Sequence, residues 1–161
     1  MRFRRVRNGD AAKLVDFYNH LSPASIRTFR PLGERAMLET IENIIRDNRP
    51  WANKKYDLVI EDDSTIVGWS FIWDLQGPEP LFGLAVADSY HHCGLGKRLI
   101  SKVMAWAHTH RIPKVYLTVV QDNVNAWRLY EKYGFERYGE IVGDDGLPYF
   151  KMAAQYPYLV R

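Results

Sequence analysis

The sequence predicts a single α/β domain with a mixed sheet over residues 1–161. Three observations carry this. The length suits one ordinary domain. Apolar residues at 47% beside charged residues at 25% suffice for one packed core. Segments of strand and helix periodicity alternate along the whole chain.

Residues 1–7 alternate basic and apolar side chains (Phe3, Val6) and predict an opening strand. Asn8 to Asp10 offers a helix start, with Ala11, Leu14, Val15 and Tyr18 following at helical spacing. Ser22-Pro23 and Pro31 make residues 20–31 a loop or a broken helix. Met37, Leu38, Ile41, Ile44 and Ile45 form one apolar face of a helix expected over 34–48. Branched and aromatic residues over 57–61 and 66–73 predict two strands joined at Asp62-Asp63-Ser64. Residues 81–87 read as a largely buried strand. From Gly94 to Thr109 runs the clearest helix, with Leu99, Ile100, Val103, Met104 and Ala107 on one face. Strand 114–120, helix 123–132 capped by Gly134, strand 135–142, the turn Asp144-Asp145-Gly146 and strand 149–154 complete the order.

Composition excludes several classes. The lone Cys93 has no intrachain partner and fits a reducing interior. No apolar run approaches the roughly 18 residues of a membrane span. The opening MRFRRVRNGD has no apolar stretch behind it to make a signal peptide. A soluble cytoplasmic protein is therefore expected, without a membrane partner. A net charge of +3 is too mild to argue for nucleic acid. His108 and His110 stand two apart on a helix and diverge, so no metal site is expected.

The most informative stretch is LFGLAVADSYHHCGLGKRLISKVMAW, residues 81–106. A buried strand enters a short loop holding Gly94 and Gly96, where the long helix begins. Helix N-termini present unpaired N–H groups and partial positive charge, and so bind phosphates. Glycine lets the backbone approach the anion. Lys97 and Arg98 oppose the helix dipole there, a cost that makes sense beside a bound anion. By itself Gly-x-Gly equally fits a tight turn. It is neither a P-loop nor a full dinucleotide fingerprint.

The second stretch is QDNVNAWRLYEKYGF, residues 121–135. Together the two resemble the GNAT superfamily of acetyl-CoA-dependent N-acetyltransferases. The pattern Asn-x-x-Ala-x-x-x-Tyr-x-x-x-Gly-Phe is met in full by Asn123, Ala126, Tyr130, Gly134 and Phe135. VADSYHHCGLG stands where the family has a segment like V-x-P-x-Y-R-G-x-G-I-G. There His91 replaces the usual Arg or Gln, His92 an often-present Gly, and Cys93 fills a variable position. Imidazoles at that loop would make coenzyme affinity pH-sensitive.

The resemblance implies a mostly antiparallel central sheet, splayed between its fourth and fifth strands, with helices on both faces. Main-chain groups of Leu84, Ala85 and Val86 would pair with the pantetheine arm, beside a family bulge that Gly83 would ease. His91, His92, Cys93, Gly94, Leu95, Gly96 and Lys97 would hold the diphosphate, and Asn123 and Ala126 would contact the arm. Asn123 has a second reading, as a plain helix N-cap. Tyr130 would be the general acid at the thioester sulfur. Its alternative is a core tyrosine.

The chemistry expected is direct attack of a primary amine on acetyl-CoA, without metal. A lysine-like amine with pKa near 10.4 costs roughly 4–5 kcal/mol to deprotonate at pH 7. Glu79 is a candidate base, with Gln121 and a water chain as rivals; flanking Pro78 and Pro80 equally suit an exposed loop carboxylate. Trp51 and residues 22–30 are expected on the acceptor side. The acceptor would be a small-molecule or peptide amine, and family members are often homodimers. The alternatives are a non-catalytic acyl-CoA-binding regulatory module and a nucleotide-binding regulator.

Overall fold

The computed structural model describes residues 1–159. Its elements are β1 (Arg2–Arg5), α1 (Ala11–Asn19), α2 (Pro23–Thr28), α3 (Leu38–Asp47), β2 (Tyr56–Asp62), β3 (Thr65–Trp73) and β4 (Leu81–Val86). A single 3₁₀ turn, Asp88–Tyr90, leads to α4 (Leu95–Thr109), β5 (Lys114–Val120), α5 (Val124–Lys132), β6 (Glu136–Val142) and β7 (Pro148–Gln155). The strands form one sheet in the order β1-β2-β3-β4-β5-β7-β6. Each neighbouring pair is antiparallel except β4 and β5, which are parallel.

Helices cover both faces. On one, Leu99, Ile100, Val103 and Met104 of α4 pack with Val115, Leu117 and Met152 of the sheet. On the other, Leu14 and Phe17 of α1 and Ile41, Ile44 and Ile45 of α3 pack against Trp69 and Phe71 of β3. Strand β3 is buried along its length after Thr65, as befits a strand covered on both sides. The β2–β3 turn holds Asp63 and Ser64 at φ 47° and 68°. That left-handed pair suits a hairpin, because its twist matches the strands it joins. None of the described helices is long and apolar enough to cross a membrane.

The helix expected over 34–48 starts later, at Leu38. Met37 is its N-cap residue in extended conformation, and both Met37 and Leu38 are exposed rather than on the apolar face. Asn19 holds the preceding segment out of the helix: its Oδ1 accepts from the Ala36 N–H and its Nδ2 donates to the Ala36 carbonyl. Residues 20–31 take the broken-helix alternative. Ser22 Oγ accepts from the Ser25 N–H and Pro23 occupies the first turn of α2, where its missing donor costs nothing.

The splay lies between β4 and β5. Their only described pairing is Leu81 with Tyr116, beside a Tyr116 N–H to Pro80 carbonyl bond of 2.8 Å. Beyond it the strands separate. The bulge expected in β4 is absent: its register with β3 runs unbroken from Trp73↔Leu81 to Gly68↔Val86. The opening comes from lost pairing on the other edge.

Gly83 therefore has a different reason for being glycine. An added Cβ would lie 2.3 Å from Cζ of Phe71, its cross-strand partner. Phe71 is itself fixed, stacked on Trp73 with ring centroids 4.0 Å apart. Gly83→Ala is expected to destabilise the fold by about 1–3 kcal/mol through overpacking. Urea unfolding measures it, and an unchanged midpoint would show that Phe71 moves freely.

Candidate active site

The parity of β4 decides which main-chain groups face the opening. Pro80 offers its carbonyl to β5, whereas Ala87 donates its N–H back to Val67 of β3. Successive residues alternate. The amide groups of Phe82, Leu84 and Val86 thus face the split, and those of Gly83 and Ala85 face β3. Of the expected pantetheine contacts, Leu84 and Val86 present main-chain groups to the opening; Ala85 is paired with Trp69 and buried. The Val86 carbonyl already has a partner, since His91 Nε2 lies 2.9 Å from it.

The loop after β4 leads into α4 through two left-handed residues, His92 at φ 64° and Gly94 at φ 75°. Gly94 tolerates that conformation and has no other group within 4 Å of a would-be Cβ. His92 occupies it despite its side chain, at some conformational cost. Among the described residues, none of the amides from His92 through Lys97 donates a hydrogen bond. His91, His92, Cys93 and Gly94 are exposed, whereas Leu95 is anchored in the core beneath them. Gly96 packs on Leu84, with 3.6 Å between its would-be Cβ and Leu84 Cδ2. Lys97 is exposed. Arg98 instead leans over the Phe3 ring at 4.5 Å. The result is a run of free donors at a helix N-terminus, the arrangement that receives an anion.

Across the split, α5 contributes Tyr130. Its ring meets Phe82 and Phe135 edge-on, at 5.6 and 6.1 Å. Burial pushes its phenol up to about 12. The residue is 8% exposed, and its hydroxyl has no described hydrogen-bond partner. It lines a cavity of about 590 Å³ that straddles β4 and β5. Asn123 stands at the N-cap position of α5, but its side chain makes no capping bond. Its carboxamide makes no described hydrogen bond. Ala126 is half-buried against the core.

Arg27, Phe29 and Arg30 of the cavity wall come from α2 and the segment after it, within the stretch 22–30 that the sequence singled out. Sequence reasoning missed the other walls: Phe71 from β3, and Asp144, Asp145 and Tyr149 from the β6–β7 hairpin. The loop before Pro31 does lie here, as expected. Trp51 does not: it is 79% exposed, lines none of the cavities described, and lies under Arg49. Asp145 accepts from the Tyr149 hydroxyl and the Leu147 N–H. The Tyr149 bond holds its carboxyl below the usual range. Burial, aided by that bond, pushes the Tyr149 phenol up to about 12.

Glu79 and Tyr130 do not share a cavity. Glu79 is exposed and lines a neighbouring space of about 690 Å³ with Asp74, Tyr116 and Lys151. Leu81, Leu117 and Thr118 border both spaces. Gln121 is half-buried, and its carbonyl accepts from Trp127 Nε1. Trp69 and Trp106 pack within the fold, Trp106 stacking on Tyr56 at 4.1 Å. His108 and His110 point to different partners, Tyr156 and Trp106. No group of three metal-ligating side chains occurs among the described residues.

A family model described as the acetyltransferase (GNAT) family matches residues 14–135. The chain belongs to the GNAT family. Among similar GNAT structures, an acetyltransferase from Streptococcus pneumoniae superposes with TM-score 0.81 at 24% identity, over 96% of this chain and 98% of the other. An acetyltransferase from Salmonella typhimurium, solved with its cofactor acetyl-CoA, gives TM-score 0.80 at 19% identity, over 96% and 93%. At these identities the likeness establishes the fold. In sequence, the chain is 36% identical over 101 residues to the 5-NmdU N-acetyltransferase of Pseudomonas phage PaMx11, covering 62% of this GNAT chain and 70% of that one. It is 29% identical over 79 residues to the [ribosomal protein bS18]-alanine N-acetyltransferase of Haemophilus influenzae, spanning 49% of this chain and 53% of that enzyme. With the spermine/spermidine N(1)-acetyltransferase of Bacillus subtilis it shares 30% over 57 residues, 35% and 38% of the two chains.

Proposed function

We propose that this GNAT chain, acting as one domain, transfers an acetyl group from acetyl-CoA to a primary amine by direct attack in a ternary complex. The observation that carries this is Tyr130: a buried ring whose hydroxyl makes no described hydrogen bond and opens on a cavity where β4 and β5 part.

The residues present fit the coenzyme. The free amides of His92 through Lys97 would hold its diphosphate, with no side chain or cap competing for them. The open edge of β4 at Leu84, beyond its last pairing with β5, would receive the pantetheine amides as an added strand does, and Asn123 would bond the same arm. Bound there, acetyl-CoA supplies an activated acyl group on a thiol leaving group.

In the transfer, the amine nitrogen forms a bond to the acyl carbon, the carbon–sulfur bond breaks, and the amine loses a proton. Outright proton transfer from a phenol near 12 to a thiolate of ordinary pKa about 8.5 would be uphill by roughly 5 kcal/mol. Tyr130 therefore acts first as a hydrogen-bond donor to the departing sulfur. It yields its proton only as far as the dry cleft raises the thiolate too. The amine proton leaves through the open mouth to water. Glu79 would assist only through water crossing from the neighbouring cavity over Thr118.

Calorimetry with acetyl-CoA, followed by thiol release across a panel of amines, tests the proposal. Binding with amine-dependent thiol release is expected. Binding without release from any amine would make the chain a non-catalytic acyl-CoA module. Preference for ATP or a nicotinamide dinucleotide would remove the coenzyme assignment.

A further inference from the structure

We propose that the acceptor is an amine whose far end is zwitterionic, a diamino acid in class, and that Arg30 sets this specificity. The inference rests on the transferase reading of the same cavity. It adds what the walls select.

Burial orders the cavity from floor to rim. Tyr130 at the floor is buried, Phe29, Phe71 and Phe82 form a buried throat, and Arg30 and Asp144 at the rim are exposed. The rim charges are divided by wall. Arginines come from the segment around α2, and carboxylates from the β6–β7 hairpin. Not all of them are free. Arg27 is paired with Asp122 at 3.2 Å, outside the cavity, and Asp145 is occupied by Tyr149 and Leu147. Arg30 and Asp144 form no ion pair within 4.0 Å among the described residues. Arg30 is close enough to the hairpin to help lower Asp145 and to act on Tyr149. A cation and an anion outside any described ion pair thus line the same apolar throat from opposite elements, Arg30 beyond α2 and Asp144 on the β6–β7 hairpin.

An acceptor complementary to this has a carboxylate for Arg30, an ammonium for Asp144, an alkyl chain for the aromatic throat, and a second amine at Tyr130. The throat also favours the neutral, reactive form of that inner amine. A simple diamine carries only positive charge and would leave Arg30 facing a cation or nothing.

Lysine, 6-aminohexanoate and cadaverine separate these contributions, since the second lacks the α-ammonium and the third the carboxylate. The expected order of kcat/KM is lysine, then 6-aminohexanoate, then cadaverine, with about tenfold between first and last. Mass spectrometry should place the acetyl group on the ε-amine. Arg30→Gln should lower the two carboxylates by about tenfold and leave cadaverine unchanged. Asp144→Asn should close the gap between lysine and 6-aminohexanoate, lowering lysine and cadaverine while leaving 6-aminohexanoate unchanged. Cadaverine equal to lysine, acetylation at the α-amine, or an Arg30→Gln loss shared by all three would overturn the proposal. So would acetyl-CoA binding, seen by calorimetry on the same preparation, with none of the three acetylated; that result leaves the transferase reading standing. Failure to bind acetyl-CoA would sink both.

Discussion

Tyr130→Phe is expected to lower kcat by about 10²–10³-fold while changing acetyl-CoA affinity by no more than about threefold. The asymmetry follows from where the hydroxyl sits. It has no described partner in the protein, so removing it breaks no native hydrogen bond, and the ring contacts with Phe82 and Phe135 survive. Folding stability should accordingly stay within about 1 kcal/mol of the parent. The free amides of His92 through Lys97, the proposed diphosphate donors, lie on another element and are untouched. Only the charge that develops on the departing sulfur loses its donor. Because burial holds the phenol up to about 12, the rate should show no alkaline decline at the ordinary tyrosine value near 10. Steady-state kinetics across pH and calorimetry on both proteins check these points. Equal loss of affinity and turnover would make Tyr130 a packing residue.

Tyr130 could be named from sequence because the pattern that resembles the family's is local, whereas Arg30 could be reached only as one residue of the stretch 22–30. Asn123, Ala126, Tyr130, Gly134 and Phe135 lie on one helix and its cap, so their spacing is fixed by 3.6 residues per turn. Gly94 and Gly96 are equally local, at one strand-to-helix junction. The proposed acceptor cavity has no such local signature. It exists because α2, β3 and the β6–β7 hairpin meet across the sheet, bringing Arg30, Phe71 and Asp145 together from three distant segments. Periodicity reports which face of an element is buried, not which elements share a cavity. Glu79 illustrates the limit. Its position before β4 suggested the cleft, yet the β3–β4 loop carries it over the adjoining space. Gly83 illustrates another: a glycine in a strand fits a bulge or a close approach, and here Phe71 makes it the second.

Asp57→Ala is expected to destabilise the fold by about 3–5 kcal/mol at neutral pH. The Asp57 side chain is fully buried. It accepts from Asn48 Nδ2 at 2.7 Å, Trp69 Nε1 at 2.7 Å and Trp73 Nε1 at 3.0 Å. Truncation strands those donors. Burial raises the carboxyl to about 6, against the opposing pull of the three bonds. A raised acid binds its proton in the folded state first. Between the unfolded value near 3.8 and about 6, stability therefore falls as pH rises, by roughly 3 kcal/mol in all. Glu61, drawn down to about 2 by Arg4 and Lys13, works the other way, losing its contribution as pH drops below its ordinary range. Asp57→Asn separates the two, because it removes only the first slope. The stability gap between parent and Asp57→Asn should narrow by up to about 3 kcal/mol from pH 4 to pH 7. Urea unfolding at several pH values measures it, and a constant gap would place the Asp57 titration elsewhere. The same change should reach the cavity. Trp73, which bonds both Asp57 oxygens and keeps at most one of these acceptors in Asp57→Asn, is the ring on which Phe71 stacks, and Phe71 lines the proposed acceptor space. Acceptor KM should rise in Asp57→Asn with acetyl-CoA affinity preserved, since the diphosphate loop lies beyond β4 and shares no side chain with this cluster.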